Sequence, residues 1–173
     1  GSDLIYAAAE LFRLGGEARA LGWAKALLSR YDQVRHPQTL LGGYQFNHRD
    51  PCRVRESFKA PLGERAEVNE ATVLTTGTIQ TRGQRAALTF LNLYDQLGDE
   101  HGREFLDLTL KDLRALIEYS WDGDQGCFHP VLYDGQRLSE ADAEERGYCP
   151  PSKLAKVKAN GGALLTLARA YRL

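Results

Sequence analysis

The sequence predicts an all-α protein built of helical hairpins, with long loops and a small β-ribbon. Apolar residues recur at three- and four-residue spacing through most of the chain, and glycine-rich steps interrupt these periodic segments. The segments also resemble one another along the sequence. Because one hairpin cannot bury its apolar face alone, we expect the hairpins to stack or close into an (α/α) toroid, of which residues 1–173 form a single segment.

The first predicted hairpin occupies the N-terminal part of the chain. Asp3 can cap a helix that continues to about Leu14, and Gly15-Gly16 ends it. A second helix is expected from about 17 to 35, with Pro37 just beyond its end. The short glycine turn between two amphipathic segments predicts antiparallel packing.

A second hairpin follows a long irregular stretch over about 36–81. Helical spacing resumes over about 84–97, breaks at Gly98-Asp99 and resumes over about 100–119. Loops as long as the first stretch are uncommon in compact domains unless they have a function. We therefore expect the functional residues on the connections between hairpins.

The rest of the chain predicts a small β-ribbon and a last helix. Residues 122–152 are irregular overall, but the expected ribbon strands lie within them, over 127–133 and at 137–138. Between these strands stands Asp134-Gly135, a dipeptide that is favoured in tight hairpin turns. A closing helix is expected over about 162–173. Residues 8–17, 91–100 and 164–173 align with one another, so the chain holds about two and a half repeat units.

Composition excludes several classes of protein. The chain has 22 Lys+Arg and 23 Asp+Glu, a net charge of −1, which gives no general attraction to nucleic acid or to an anionic membrane. No apolar run approaches the roughly 20 residues of a membrane span. Three cysteines without a CxxC spacing argue against a disulfide framework and mildly favour a reducing compartment, although cytoplasm and periplasm both stay open. Walker, GxSxG, HExxH and EF-hand patterns do not occur.

The first candidate site is Arg35-His36-Pro37, followed by a Gly-Gly turn and Tyr44. A basic pair at the C-terminal end of a helix complements the helix dipole, and proline ends the helix, so a structural role accounts for the pattern. The functional alternative is that the arginine and the histidine bind an anionic substrate and a metal ion.

Two further basic clusters lie on the long connections. Residues 48–59 include Arg53 and Arg55, whose forked guanidinium groups suit carboxylate recognition, and residues 147–158 include Lys153 after two prolines. Solvated loop charges and a rigid linker are the structural alternatives. His101 and His129 stand apart from these clusters and are interpreted as surface or structural residues.

Five stretches carry a resemblance to a known family. They are residues 6–14 (YAAAELFRL), 35–46 (RHPQTLLGGYQF), 131–138 (VLYDGQRL), 147–154 (GYCPPSKL) and 168–173 (ARAYRL). In this order they resemble the second polysaccharide lyase family, the (α/α) toroid pectate lyases, over nearly the whole chain. The chain would correspond to a middle portion of such an enzyme, and so to part of a larger catalytic domain.

The resemblance implies cleavage of polygalacturonate by β-elimination. Arg35 matches the family's arginine base, and His36 matches a ligand of a divalent transition metal, with Mn²⁺ the expected ion. Arg53, Arg55, Lys153 and Tyr44 are the candidates for holding the substrate. The family's other metal ligands fall upstream of Asp3 in this alignment. An arginine base is chemically demanding, since a guanidinium normally stays protonated.

The expected partners follow from the same resemblance. They are an acidic polysaccharide or oligogalacturonide and the remainder of the toroid or a partner chain, with neither nucleic acid nor membrane. One alternative is a toroid glycoside hydrolase that uses two opposed carboxylates among Asp50, Glu67 and Glu70. The other is a helical interaction module without catalysis.

Overall fold

Helices form most of the structure, a computed structural model that describes residues 2–33, 35–41, 86–129, 131, 135–137 and 161–173. Helix covers 74% of these residues, which confirms the predicted all-α class with a small β-ribbon. The described elements are α1 (Ser2–Gly15), α2 (Ala18–Gln33), α3 (Ala87–Ser120), β1 (Trp121–Asp122), β2 (Cys127–Phe128) and α4 (Gly161–Ala170).

Helices α1 and α2 form the first predicted hairpin. Gly16 takes a positive φ of 70°, and its amide donates to the Phe12 carbonyl at 2.7 Å, so it closes the end of α1. Ile5 of α1 and Ala24 and Leu28 of α2 are buried between the helices. The hairpin therefore forms because two apolar stripes meet across a turn that glycine allows.

Helix α3 is itself a hairpin, as the predicted break at Gly98-Asp99 requires. Gly98 has φ 67° and ψ −174°, a non-helical conformation inside the range of α3. The rings of Phe90 and Phe105 have centroids 5.9 Å apart, whereas in a straight helix these positions would be about 22 Å apart. The chain thus reverses direction at Gly98.

The β-ribbon begins earlier than predicted. Strands β1 and β2 are antiparallel, and Trp121 pairs with Phe128. We expected 122–126 to be irregular, but Asp122 belongs to β1 and pairs with Cys127, and the residues after it form the turn that contains Gly126 (φ 60°). The predicted turn around Gly135 has a bridge between Val131 and Arg137 on either side.

Two apolar clusters form the core, and α3 contributes to both. We call them the hairpin core and the ribbon core. The hairpin core comprises Ile5, Ala9, Leu21, Ala24, Leu28, Phe90, Leu93, Phe105 and Leu108. The ribbon core comprises Leu41, Leu113, Ala115, Leu116, Phe128, Val131 and Ala163. Leu41 places the loop after α2 in the ribbon core, which fixes where the candidate site lies.

Closure of the hairpins into a toroid stays a prediction. Residues 42–85 and 138–160, which contain most of the predicted excursions, lie outside the described residues. Within the described part of the chain, Arg169 of α4 pairs with Asp95 of α3 and so joins the last helix to the second hairpin. None of the helices in that part has the length and apolar character that crossing a membrane requires.

Candidate functional site

Arg35 lies just after α2 and connects three parts of the fold. Its side chain is 5% exposed. Nε donates to Asp32 Oδ1 at 2.9 Å, and Nη1 lies 2.8 Å from Asp112 Oδ1 on α3. Nη1 also donates to the Leu40 carbonyl at 2.8 Å, and Nη2 to the Leu108 carbonyl at 3.4 Å. The guanidinium therefore joins the end of α2, the middle of α3 and the following loop.

The surroundings of Arg35 favour the protonated guanidinium. Burial by itself lowers the pKa of Arg35, but the negative charges of Asp112 and Asp32 and their hydrogen bonds outweigh it, and the pKa is raised overall. An arginine must be deprotonated, and therefore neutral, before it can accept a proton as a base. In the described arrangement Arg35 is consequently a buried cation.

Asp32 carries a second ion pair beside Arg35. Lys111 Nζ lies 3.1 Å and 2.9 Å from its two carboxylate oxygens. Burial raises the pKa of Asp32, yet the hydrogen bonds and charges of Lys111 and Arg35 lower it further than burial raises it. Asp32 therefore divides its charge between two cations, whereas Asp112 approaches Arg35 from the opposite helix.

His36 is held inside a tight loop over residues 36–41. Its amide donates to the Leu41 carbonyl, and its own carbonyl accepts from the Leu40 amide, both at 3.0 Å. Nδ1 of the ring accepts from the amides of Gln38 at 3.3 Å and Thr39 at 3.2 Å. These amides assign the lone pair to Nδ1, so the proton of the neutral ring lies on Nε2.

The described residues do not fit a metal centre on their own. Searched across those residues, no group of three or more His, Cys, Asp or Glu side chains is arranged to hold an ion. The Nδ1 lone pair of His36 already faces two amide donors. A metal-bound histidine normally coordinates the ion through one ring nitrogen and donates a hydrogen bond from the other. In His36, Nδ1 accepts hydrogen bonds, so it does not donate one while Nε2 coordinates an ion.

Several predicted site residues cannot be placed. Tyr44, Arg53, Arg55 and Lys153 lie outside the described residues. The carboxylates proposed for a glycoside hydrolase, at positions 50, 67 and 70, also lie outside them. Of the predicted substrate, base and metal residues, the structure thus places Arg35 and His36, and it places them side by side at the end of α2.

A groove of about 390 Å³ runs between α2 and α3 near Arg35. Its lining residues are Lys25, Leu28, Ser29, Asp32, Glu104, Asp107, Leu108 and Lys111. Lys25 is paired with Glu104 at 2.8 Å, and Lys111 with Asp32 at 2.9 Å. Both ammonium groups that line the groove are therefore already paired with carboxylates of the same lining.

A second polar cluster lies at the β-ribbon. His129 Nε2 is 3.2 Å from Asp122 Oδ2 and 3.8 Å from Cys127 Sγ, and Arg137 Nη1 is 3.0 Å from the same Asp122 oxygen. The Gln125 amide, with further help from Arg137 and His129, lowers the pKa of Asp122. A carboxylate only accepts, so Nε2 carries a hydrogen and cannot take the thiol proton of Cys127. With Nε2 donating to Asp122, Cys127 and His129 are not arranged as a nucleophile–base pair.

Sequence reasoning missed the two aspartates around Arg35. The three-residue spacing of Asp32 and Arg35 is a helical ion-pair signal that could have identified the first. Asp112 gives no such signal, because its contact with Arg35 depends on how α2 and α3 pack. The proximity of Cys127 and His129 could also have been predicted, because residues two apart in an extended chain place their side chains on the same face.

The fold and site define a class of protein, one built of helical hairpins whose candidate site lies at the end of a hairpin helix. A family model described as periplasmic pectate lyase matches residues 1–173, and the chain belongs to that family. Pectate disaccharide-lyase from Dickeya dadantii (strain 3937) is 27% identical over 185 residues, which cover 100% of this chain and 34% of that protein. The chain thus spans about a third of the length of this curated relative.

Proposed function

We propose that the protein acts as a pectate lyase and cleaves polygalacturonate by β-elimination. The observation that carries this proposal is the family match along all of residues 1–173. The pectate disaccharide-lyase relative supports the same substrate class, an acidic polysaccharide. The resemblance of the Arg35-His36 stretch to the family supports a role for this pair in the reaction.

The proposed reaction removes the hydrogen next to a uronate carboxylate. A base takes this proton, the electron pair of the C–H bond forms a carbon–carbon double bond, and the glycosidic bond to the leaving oxygen breaks. The leaving oxygen then gains a proton. Negative charge develops on the uronate carboxylate during proton removal, so a cation near that carboxylate lowers the barrier.

Arg35 is the proposed residue at the reacting sugar. Its contacts with Asp32 and Asp112 keep the guanidinium protonated, and a protonated guanidinium that faces the uronate carboxylate neutralises the developing charge. Either role requires the Arg35 side chain, which is 5% exposed, to become accessible to the substrate. The base role that the resemblance implies requires in addition that Arg35 lose a proton that both aspartates stabilise.

The remaining proposed roles rest on the resemblance. Arg53, Arg55, Lys153 and Tyr44 would hold the uronate units, since guanidinium and ammonium groups pair with carboxylates. His36 would serve as one ligand of a divalent transition metal such as Mn²⁺. Among the described residues no further side chains join His36 as ligands.

The outer face of α1 supports a neighbour in the assembled protein. Leu4, Leu11 and Leu14 are 57%, 58% and 74% exposed. We propose that a further part of the toroid or a partner chain covers this face, because repeated hairpins bury such faces against one another. The family description favours a periplasmic location over the reducing compartment that the cysteine pattern suggested.

The proposal is tested by the ultraviolet absorbance of unsaturated products formed from polygalacturonate with added Mn²⁺. We expect Arg35→Ala to lower kcat by about 100-fold or more. Arg30→Ala is the matched control, since Arg30 lies exposed on α2 and contacts Gln33. Wild-type protein without absorbing products, or Arg35→Ala with full activity, would contradict the proposed reaction.

A further inference from the structure

Arg35 makes more contacts than a cation at a substrate site requires. Its donors reach two aspartates and two backbone carbonyls on three separate segments of the chain. The contact with the Leu40 carbonyl is the one that reaches the loop holding His36. The position of the guanidinium therefore sets the position of that loop.

The loop adopts a conformation that needs such support. Leu40 has a positive φ of 58°, which is unfavourable for a residue with a side chain. Its carbonyl accepts from Arg35, and its amide donates to the His36 carbonyl. Leu41, the next residue, is 3% exposed in the ribbon core. The loop is thus fixed by Arg35 on one side and by apolar burial on the other.

Asp112 is the charged partner of the guanidinium on α3, where the Leu108 carbonyl also accepts from it at a longer distance of 3.4 Å. Its Oδ1 lies 2.8 Å from Arg35 Nη1, the same nitrogen that donates to the Leu40 carbonyl. Asp32 lies on α2, so its contact with Arg35 is local, and it also pairs with Lys111. Asp112, in contrast, links Arg35 to α3. The Asp112 side chain is 24% exposed, so this ion pair is better shielded from solvent than the exposed pair of Arg103 and Asp107 on α3.

We propose that Asp112 is a positioning residue, which holds Arg35 across the α2–α3 interface and thereby orients the 36–41 loop and the His36 ring. This inference rests on the proposed function only for its effect on catalysis. The effect on the loop and on the ring follows from the contacts alone.

The first measurement is spectroscopic and needs no substrate. In the full chain at about pH 8, where histidine rings are neutral, ¹⁵N NMR distinguishes a proton on Nε2 from one on Nδ1. We expect wild type to show His36 protonated at Nε2, and Asp112→Asn to show a mixture of tautomers with faster hydrogen exchange at the Leu40 and Leu41 amides. Asp112→Glu, which keeps the carboxylate, is expected to restore most of the wild-type signal.

The matched control is Asp107→Asn on the same helix. Asp107 pairs with Arg103 at 3.0 Å, an exposed contact within α3 that does not reach the loop. We expect this variant to leave the His36 spectrum and the loop amides unchanged. The proposal is overturned if Asp112→Asn matches wild type in both the His36 spectrum and the hydrogen exchange of the loop amides. It is also overturned if Asp112→Asn and Asp112→Glu differ from wild type to the same extent.

The second measurement is kinetic. In the product assay we expect Asp112→Asn to lower kcat by about 10- to 100-fold with little change in KM, because positioning acts on the reacting geometry. An unchanged kcat in an active enzyme overturns the catalytic part of the proposal. If wild type forms no product, the proposed function fails, and the NMR comparison still decides whether Asp112 positions the loop.

Discussion

At the scale of single residues, the ion pairs beside Arg35 give the fold a dependence on pH. The pKa of Asp32 is lowered from 3.8 because Lys111 and Arg35 together outweigh the effect of burial. A carboxyl group whose pKa is lower in the folded state stabilises the fold above its unfolded pKa. This contribution is lost as the pH falls through the folded pKa.

We therefore predict that Asp32→Asn lowers the free energy of unfolding at pH 7 by about 1 kcal/mol, a modest value because the carboxylate is partly exposed. The difference between variant and wild type should narrow as the pH falls below the ordinary pKa of aspartate and through the lowered pKa of folded Asp32. Urea denaturation at a series of pH values measures it. A difference that widens in acid would show that Asp32 is not stabilised as an anion.

At the scale of elements, the second hairpin depends on two glycines with different roles. Gly98 provides the non-helical reversal, and Gly102 allows the two arms of α3 to approach each other. A Cβ atom at position 102 would lie 3.0 Å from the Tyr94 Cα and 3.2 Å from the Leu97 Cβ. The first of these neighbours is backbone and cannot move aside alone.

Gly102→Ala is accordingly predicted to reduce the free energy of unfolding by about 1–3 kcal/mol, although alanine favours helix. Gly22→Ala is the matched control, because Gly22 lies in α2 with nothing within 4 Å of the added Cβ. That variant should be more stable than wild type by up to about 1 kcal/mol. Equal effects of the two substitutions in urea denaturation would contradict the close packing of the α3 arms.

At the scale of the whole molecule, α3 couples the hairpin core to the ribbon core. Phe90 and Phe105 lie in the first, and Leu113 and Leu116 lie in the second. The arm of α3 after Gly98 carries residues of both cores, so the loss of one cluster affects the other. We thus expect the described part of the chain to unfold as one cooperative unit.

Phe105→Ala tests this coupling, since Phe105 is fully buried in the hairpin core. The substitution should cost about 3–5 kcal/mol. The two tryptophans of the chain report on different regions, Trp23 on α2 and Trp121 beside the ribbon core, and single-tryptophan variants with Trp23→Phe or Trp121→Phe separate their fluorescence. Both signals should shift to the same lower midpoint, whereas a shift of the Trp23 signal alone would show two independent units.

Much of the helical architecture could be predicted because its signals are local. Spacing of apolar residues determined the helices, and Gly16 and Gly98 take the positive φ values that the predicted turns require. The start of the ribbon was missed because Trp121 and Asp122 form too short a strand to show alternation. Arg35 and His36 were proposed as site residues from their order in the sequence and from the resemblance, and their roles stay predictions.

By itself, the sequence determined the class of fold, the helix ends at Gly16 and Gly98 and the family, since each depends on neighbouring residues or on their order. Only the tertiary structure decided the state of the candidate site. It brought Asp112 of α3 to Arg35 and turned the His36 Nδ1 toward the amides of its own loop. The physical reason is that a buried charge takes its partners from whatever helix packs against it, and that packing depends on the shapes of both cores together.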